Sequence, residues 1–299
     1  MTREPGTRLS PEEIGALAQL ACTLEVCAPK PGNVSAGRPF RDVAVEDFFL
    51  SAAAIGPVLA GAGRRGLGTT IRSAVEATGR VTRANTNLGI VLLLAPLARA
   101  ALLEEPGALR SRLSSVLATT TVGDAEQAYH AIRRARPGGL GSSGAEDVAN
   151  PPTVTLRQAM QLAADRDTVA REYVTDFSVT FETGLPALQA ARREGLSWSE
   201  GATECFLRLL ARIPDSLIAR KLGAAAAEAI SVTAGEIEAK GGVRTPAGRD
   251  ALEKFDAGLR DPQNTRNPGT TADLTAAALF LALLERGGPG AIEESFRAQ

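Results

Sequence analysis

Apolar residues recur along this chain at spacings of three and four, as on one face of a helix, and almost nowhere alternate as a half-buried strand requires. Ser10-Pro11-Glu12-Glu13 opens the first helix with a reciprocal cap and a proline at its first position, and the pattern runs to about Cys27. Further helices are predicted over about 44–62, 67–80, 87–104, 107–117, 123–135, 154–183, 186–194, 197–212, 214–240, 246–259 and 271–286. Ser197-Trp198-Ser199-Glu200 and Thr245-Pro246 mark two more helix starts, and Pro and Gly punctuate the joins. Short β-branched runs such as Thr119–Val122 do not alternate. Residues 136–152, with Gly-Gly-Leu-Gly and Ser-Ser-Gly, form the longest loop, either a lid or a plain connection. The pattern predicts an all-α protein, residues 1–299 forming one large multi-helix domain.

Polar residues interrupt the apolar stripes at a few places. In the 154–183 helix, Leu156, Met160, Ala163, Asp167, Ala170, Val174, Phe177 and Phe181 share a face, with Asp167 in its middle. A buried aspartate there requires a hydrogen bond, an ion pair or a cation. Asp165 and Arg166 fall on other faces, so Arg166 is not its automatic partner. In the last helix, Asp273, Ala277, Phe280 and Leu284 repeat the pattern, and Asp273 either meets the helix dipole or marks the mouth of a polar pocket. Ser51 shares a face with Phe48, Ile55 and Val58. Asn85-Thr86-Asn87 precedes Leu88-Gly89-Ile90, and capping rules favour a helix cap over a site.

Ala28-Pro29-Lys30-Pro31-Gly32-Asn33-Val34-Ser35 and Asn267-Pro268-Gly269-Thr270-Thr271-Ala272-Asp273-Leu274 are loops ahead of helices. Each is either an ordinary turn with a cap or an anion site built from free helical N–H groups. Two such loops favour phosphate handling.

Composition narrows the chemistry. A chain of 299 residues, 44% hydrophobic, can bury a large core, and a net charge of −1 supplies no field for nucleic acid or a membrane surface. The polar Met1–Thr7 start carries no signal-peptide pattern, and the most apolar run, Ile90 to Leu103, is too short for a membrane span and broken by Pro96. Cys22, Cys27 and Cys205 form neither a disulfide framework nor a zinc site, so a soluble cytoplasmic protein is expected. His130 is the single histidine, which excludes multi-histidine metal sites, and its surroundings read as a solvated helix. Lysine is scarce: Lys30, Lys221, Lys240 and Lys254 stand among 33 cationic residues. Lys30 lies in the first loop, and Lys221 in an apolar helix opened by Asp215. Carboxylates suited to Mg²⁺, two lysines and two loop–helix starts suit a nucleotide or a phosphosugar diphosphate, without a Rossmann fingerprint or a P-loop.

Glu25 followed by Pro29-Lys30-Pro31-Gly32-Asn33-Val34, with Asp42, Phe48 and Ser51, resembles the opening signature of the triphosphoribosyl-dephospho-CoA synthase family. Asn85-Thr86 with Gly89 resembles its second motif, and Pro268-Gly269 with Ala272-Asp273-Leu274 its third. The resemblance implies an all-helical, Mg²⁺-dependent transferase. It would move the ribose-triphosphate of ATP to the 2′-hydroxyl of 3′-dephospho-CoA and release adenine. Asn87-Leu88 stands where the lyase-associated enzymes look like His-Lys, Asp165-Arg166-Asp167 where they look like Asp-Thr-Asn, and Thr270-Thr271 where they look like a Gly-Ser pair. Asp124-Ala125 and Pro137-Gly138-Gly139-Leu140-Gly141 look like a divergent branch.

Asp167 and Asp273 are therefore expected to bind Mg²⁺ or act as base, with Asp42 and Asp165 as further metal ligands. Lys30, Asn33, Ser51, Asn85, Thr86, Lys221, Gly269, Thr270 and Thr271 are the expected substrate and phosphate contacts. The missing His-Lys pair keeps a second enzyme open: phosphoribosyl diphosphate as donor to an alcohol of a pterin-type one-carbon carrier. A non-catalytic nucleotide- or CoA-binding protein is a third reading. Small-molecule partners only are expected, and the apolar faces leave room for a homodimer.

Overall fold

The computed structural model describes residues 8–141 and 144–285. Its helices are α1 (Pro11–Cys27), α2 (Val45–Ala60), α3 (Leu67–Val81), α4 (Leu88–Leu102), α5 (Leu109–Ala118), α6 (Val122–Ala135) and α7 (Leu156–Ala163). The second half adds α8 (Thr168–Val174), α9 (Leu185–Arg193), α10 (Trp198–Arg212), α11 (Ser216–Leu222), α12 (Ala224–Ala239), α13 (Pro246–Leu259) and α14 (Gly269–Glu285). Among the described residues, strand pairing is limited to one isolated bridge between Ser35 and Arg38. The protein is all-α, as its periodicity predicts.

Local chemistry sets the helix starts. The Glu13 amide donates to the Ser10 hydroxyl at 3.2 Å while the Glu13 carboxylate accepts from the Ser10 amide at 2.7 Å. Ser197 and Glu200 repeat this at α10, Thr121 and Asp124 at α6, and Thr155 and Gln158 at α7.

The expected 154–183 helix is broken twice. At Asp167 the backbone is extended (φ −140°, ψ 118°), and the carboxylate accepts from the Ala170 amide at 3.1 Å, capping α8. At Asp176 (φ 49°) and Phe177 (φ 60°) the chain turns left-handed. The buried Glu172 carboxylate then takes the Val179 and Thr180 amides, both at 2.9 Å, and the Thr180 hydroxyl at 2.6 Å. A wide turn at Thr180–Gly184 leads into α9. Of the expected stripe, Leu156, Met160, Ala170 and Phe177 are buried, while Ala163, Asp167, Val174 and Phe181 are half-buried. The expected 214–240 helix also divides, at Gly223, whose φ of 91° suits glycine.

α14 is the mast of the molecule: almost every side chain from Thr270 to Leu284 is buried, and it packs against α1, α4, α9 and α10. α2 packs on α1, and α3 and α5 pack on α4, extending one large apolar cluster. A smaller cluster on another face of α10 joins Phe206, Leu207 and Leu210 to Ala234 of α12 and Leu252 of α13. Among the described residues no helix is long and apolar enough to cross a membrane.

Candidate active site

The start of α14, the end of α1, the start of α4, and parts of α8 and α11 converge on a cavity of about 1130 Å³. The ends of α3 and α6 supply another part of its wall. The two proline–glycine loops meet beside it: the Asn267 side-chain amide donates to the Gly32 carbonyl at 2.9 Å and to the Asn33 side-chain oxygen at 3.2 Å. Residues more than two hundred positions apart thus form one edge of the site.

Asp273 lies one turn into α14, deep but facing the cavity. Burial pushes its carboxyl well above the usual aspartate range; the charges of Glu25, Asp215 and Asp167 push the same way, and Arg220 opposes them. Among the described residues its carboxylate makes no hydrogen bond and no ion pair. Its room comes from Gly89 on α4, where a Cβ would fall 2.0 Å from the Asp273 Oδ2. Asp273 is half-buried, and a carboxylate withdrawn that far without a protein partner is costly, so its natural complement is a ligand.

Around Asp273 the expected residues divide. Asp167 is on the wall, half-buried at the cap of α8 and not inside a buried stripe, and its ion-pair partner is Arg220. Asn33, Asn85, Thr86, Lys221, Gly269 and Thr270 also line the cavity. Asn85 acts as a cap too, its side-chain oxygen accepting from the Leu88 amide at 3.3 Å. The Lys221 ammonium donates to the Asn264 carbonyl at 3.0 Å, and partial burial lowers its pKa. The Thr270 hydroxyl accepts from Ser216 at 3.0 Å.

Four expectations fail on geometry. Lys30 is not on the cavity wall: it is buried 2.9 Å from the Glu25 carboxylate and donates to the Glu25 and Ala28 carbonyls. A cation at the last turn of α1 suits those carbonyls and the dipole. Ser51 also lies off the wall, its hydroxyl 2.5 Å from that of Thr86 and 2.6 Å from the Asp47 carbonyl. Thr271 turns away to Asp215, donating through its amide at 2.7 Å and its hydroxyl at 2.8 Å. Asp165 is exposed outside the wall, in the turn between the end of α7 at Ala163 and the start of α8. Asp42 is exposed but on the wall. The four expected metal aspartates therefore do not form one cluster. Among the described residues, no three His, Cys, Asp or Glu side chains group closely enough to hold a metal ion by themselves.

Some wall residues were not expected as site groups, although Glu25 and Gly89 stand within the family motifs. Arg220 is one of many arginines, and Gly89 reveals its role only through what stands opposite. Glu25, buried with its carboxyl raised by burial and pulled back by Lys30, lines the cavity near Asp273. His130 is also there, half-buried and not on a solvated helix face, and its Nδ1 is buried without a partner among the described residues. The Tyr129 hydroxyl donates to the Glu146 carbonyl at 2.8 Å, fixing part of the 136–152 loop beside the cavity.

Three separated sequence motifs thus meet at one cavity. A profile of the ATP:dephospho-CoA triphosphoribosyl transferase family matches residues 11–291. The chain belongs to this family. Over 97 residues it is 34% identical to the 2-(5″-triphosphoribosyl)-3′-dephosphocoenzyme-A synthase of Klebsiella pneumoniae, a match covering 32% of this chain and 34% of that protein. Over 111 residues it is 30% identical to a Pseudomonas fluorescens protein provisionally given the same name, covering 37% and 38%. These matches span about a third of the length of the curated relatives. The crystal structure of an Archaeoglobus fulgidus protein provisionally named a triphosphoribosyl-dephospho-CoA synthase superposes with a TM-score of 0.61 at 27% identity, covering 79% of this chain and 97% of that one. The family motifs supply Asn33, the Asn85-to-Gly89 stretch and Asp273 to the cavity.

Proposed function

We propose that this chain is a ribosyl transferase of the triphosphoribosyl-dephospho-CoA synthase type, taking ATP as donor and 3′-dephospho-CoA as acceptor. The observation that carries this reading is the partnerless carboxylate of Asp273, facing a cavity walled by all three family motifs. The acceptor 2′-hydroxyl oxygen bonds to C1 of the ribose, the C1–N9 bond breaks, the hydroxyl proton passes to a base, and adenine leaves with a proton.

Positive charge gathers at C1 as the glycosidic bond opens, and a carboxylate beside that carbon stabilises it. Asp273 is the group with a free carboxylate at that position. It binds the reacting centre when ionised and holds a proton for transfer when neutral, and its raised pKa brings both forms closer to working pH. Lys221 and the start of α14 face the polyphosphate: a cation suits phosphate oxygens, and the Thr270 amide is the one left without a partner among the described residues, since the Gly269 amide donates to the Asn267 carbonyl and the Thr271 amide to Asp215. Asn33 and Asn85 orient the sugar and the acceptor through their amides.

The donor set fits a Mg²⁺ ion carried in by phosphate, since that ion is commonly held by one or two carboxylates plus substrate oxygens and waters. Asp273 and Asp167 would hold it, and when bound it supplies neutralising charge to the polyphosphate. Stable occupation by protein groups alone is not expected, given the absence of a three-ligand cluster among the described residues.

A second donor is favoured by one observation. Asn87 and Leu88, at the positions of the relatives' apparent His-Lys, are used structurally here. The Asn87 amide donates to the Thr78 hydroxyl at 3.0 Å, and Leu88 is buried in the large cluster. A diphosphate leaving group needs no protonation, which suits phosphoribosyl diphosphate as donor to an alcohol. Incubation with Mg²⁺, ATP and 3′-dephospho-CoA tests both readings. Free adenine with an adduct of matching mass supports the first. Adduct formation only with phosphoribosyl diphosphate replaces it with the second, and binding without any product reduces the protein to a binder.

A further inference from the structure

Arg220 and Lys221 are adjacent on α11, and both line the cavity. The glycine stretch after α6 lies directly on them. A Cβ at Gly138 would stand 3.3 Å from the Lys221 Cε, and one at Gly139 would stand 3.3 Å from the Arg220 Cβ. Two cations are thus held under a bare backbone strap at the edge of the site.

Arg220 has an incomplete set of partners. One guanidinium nitrogen is paired with the Asp167 carboxylate, while Nε is buried with no partner among the described residues. Its charge also reaches Asp273, where it opposes the effect of the surrounding carboxylates. The pair is partly open to the cavity, the Arg220 side chain 21% and the Asp167 side chain 28% exposed. A part-buried pair that opens onto a cavity can trade one anionic partner for another that enters it, and a guanidinium fork binds phosphate oxygens in two-pronged fashion.

We propose that Arg220 exchanges partners on ligand binding: it holds Asp167 in the free protein and turns to the polyphosphate of the donor in the complex. Lys221 adds a second cation beside it, and the turn releases the Asp167 carboxylate into the site. This rests on the reading of the cavity as a polyphosphate site. Asp167 is then a competitor of the polyphosphate for Arg220, and that gives a response of opposite sign in the two partners.

The test is calorimetric titration of inorganic tripolyphosphate into the metal-free protein in the presence of chelator. Arg220→Gln weakens binding at least about tenfold, and Arg220→Lys recovers part of the loss. Asp167→Asn strengthens binding by roughly three- to tenfold, because it frees Arg220; asparagine caps a helix as well as aspartate does, so α8 keeps its start. In the double substitution the gain from Asp167→Asn disappears. Circular dichroism confirms that each variant is folded. Weakened or unchanged binding in Asp167→Asn, or unchanged binding in Arg220→Gln, overturns the exchange and leaves ribosyl transfer to be judged by adenine release. No binding by the unsubstituted protein overturns the polyphosphate subsite itself.

Discussion

Asp215 and Asp273 lie near each other, both largely withdrawn from water, and burial raises the carboxyl pKa of each. Their surroundings differ completely. Asp215 caps α11, accepting the Leu217 amide at 2.9 Å, the Ile218 amide at 3.0 Å, and the amide and hydroxyl of Thr271. The carboxylate of Asp273, two residues past that same Thr271, has no hydrogen bond among the described residues and faces the cavity. The first carboxylate ties α11 to the start of α14. The second is held in place by packing and offered outward. Burial alone therefore does not mark a reactive group; unfilled hydrogen-bonding capacity at a cavity does.

The comparison breaks most sharply at Asp215. Asp215→Ala leaves four donors without an acceptor and costs about 3–5 kcal/mol of stability, measured by denaturant unfolding. A loss below about 1 kcal/mol means that water replaces the carboxylate and that the structural role is wrong.

Gly89→Ala places a methyl group against the Asp273 carboxylate and costs about 2 kcal/mol together with most of the turnover. In an Asp273→Ala background the cost vanishes, since alanine is otherwise the better helix residue. An equal loss in both backgrounds places the clash elsewhere.

Asp273→Asn works in the other direction on stability. A carboxyl with a raised folded pKa keeps its proton longer when folded, so the folded state loses stability as pH climbs above the ordinary aspartate range. The asparagine variant escapes that loss. It gains about 1 kcal/mol over the parent at pH 8 and little near pH 4, while turnover falls at least about a hundredfold. Melting curves at the two pH values, paired with product assays, decide it; stabilisation independent of pH contradicts the titration argument. Asp165→Asn, the smallest change, shifts stability by less than about 0.5 kcal/mol and leaves turnover alone.

The helical architecture was legible because Ser10, Ser197 and Thr245 announce helix starts by local rules. The two breaks around α8 were not, since Ala163, Asp167, Ala170 and Val174 keep a helical spacing across a non-helical turn. The cap at Thr155 was present in sequence as Thr-x-x-Gln, a clearer signal than the apolar run beginning nearby. Asp273 and Lys221 were recognisable as polar groups in apolar helices, and Asn33 as part of a proline–glycine loop ahead of a helix. Lys30 misled because its scarcity was visible and its partner was not: Glu25, only five residues earlier, turns back to meet it. Arg220 and Gly89 matter through neighbours remote in sequence, a relation no single segment displays.

The position of Asp273 on α14 has an evolutionary consequence. The helix that carries this carboxylate is also the one around which the largest apolar cluster assembles, so drift along it jeopardises folding and chemistry together. Arg83, Arg134 and Arg136, by contrast, are exposed residues at the margins of α3 and α6 that still reach the cavity. Substitutions at those margins can reshape what the cavity admits while leaving its centre unaltered.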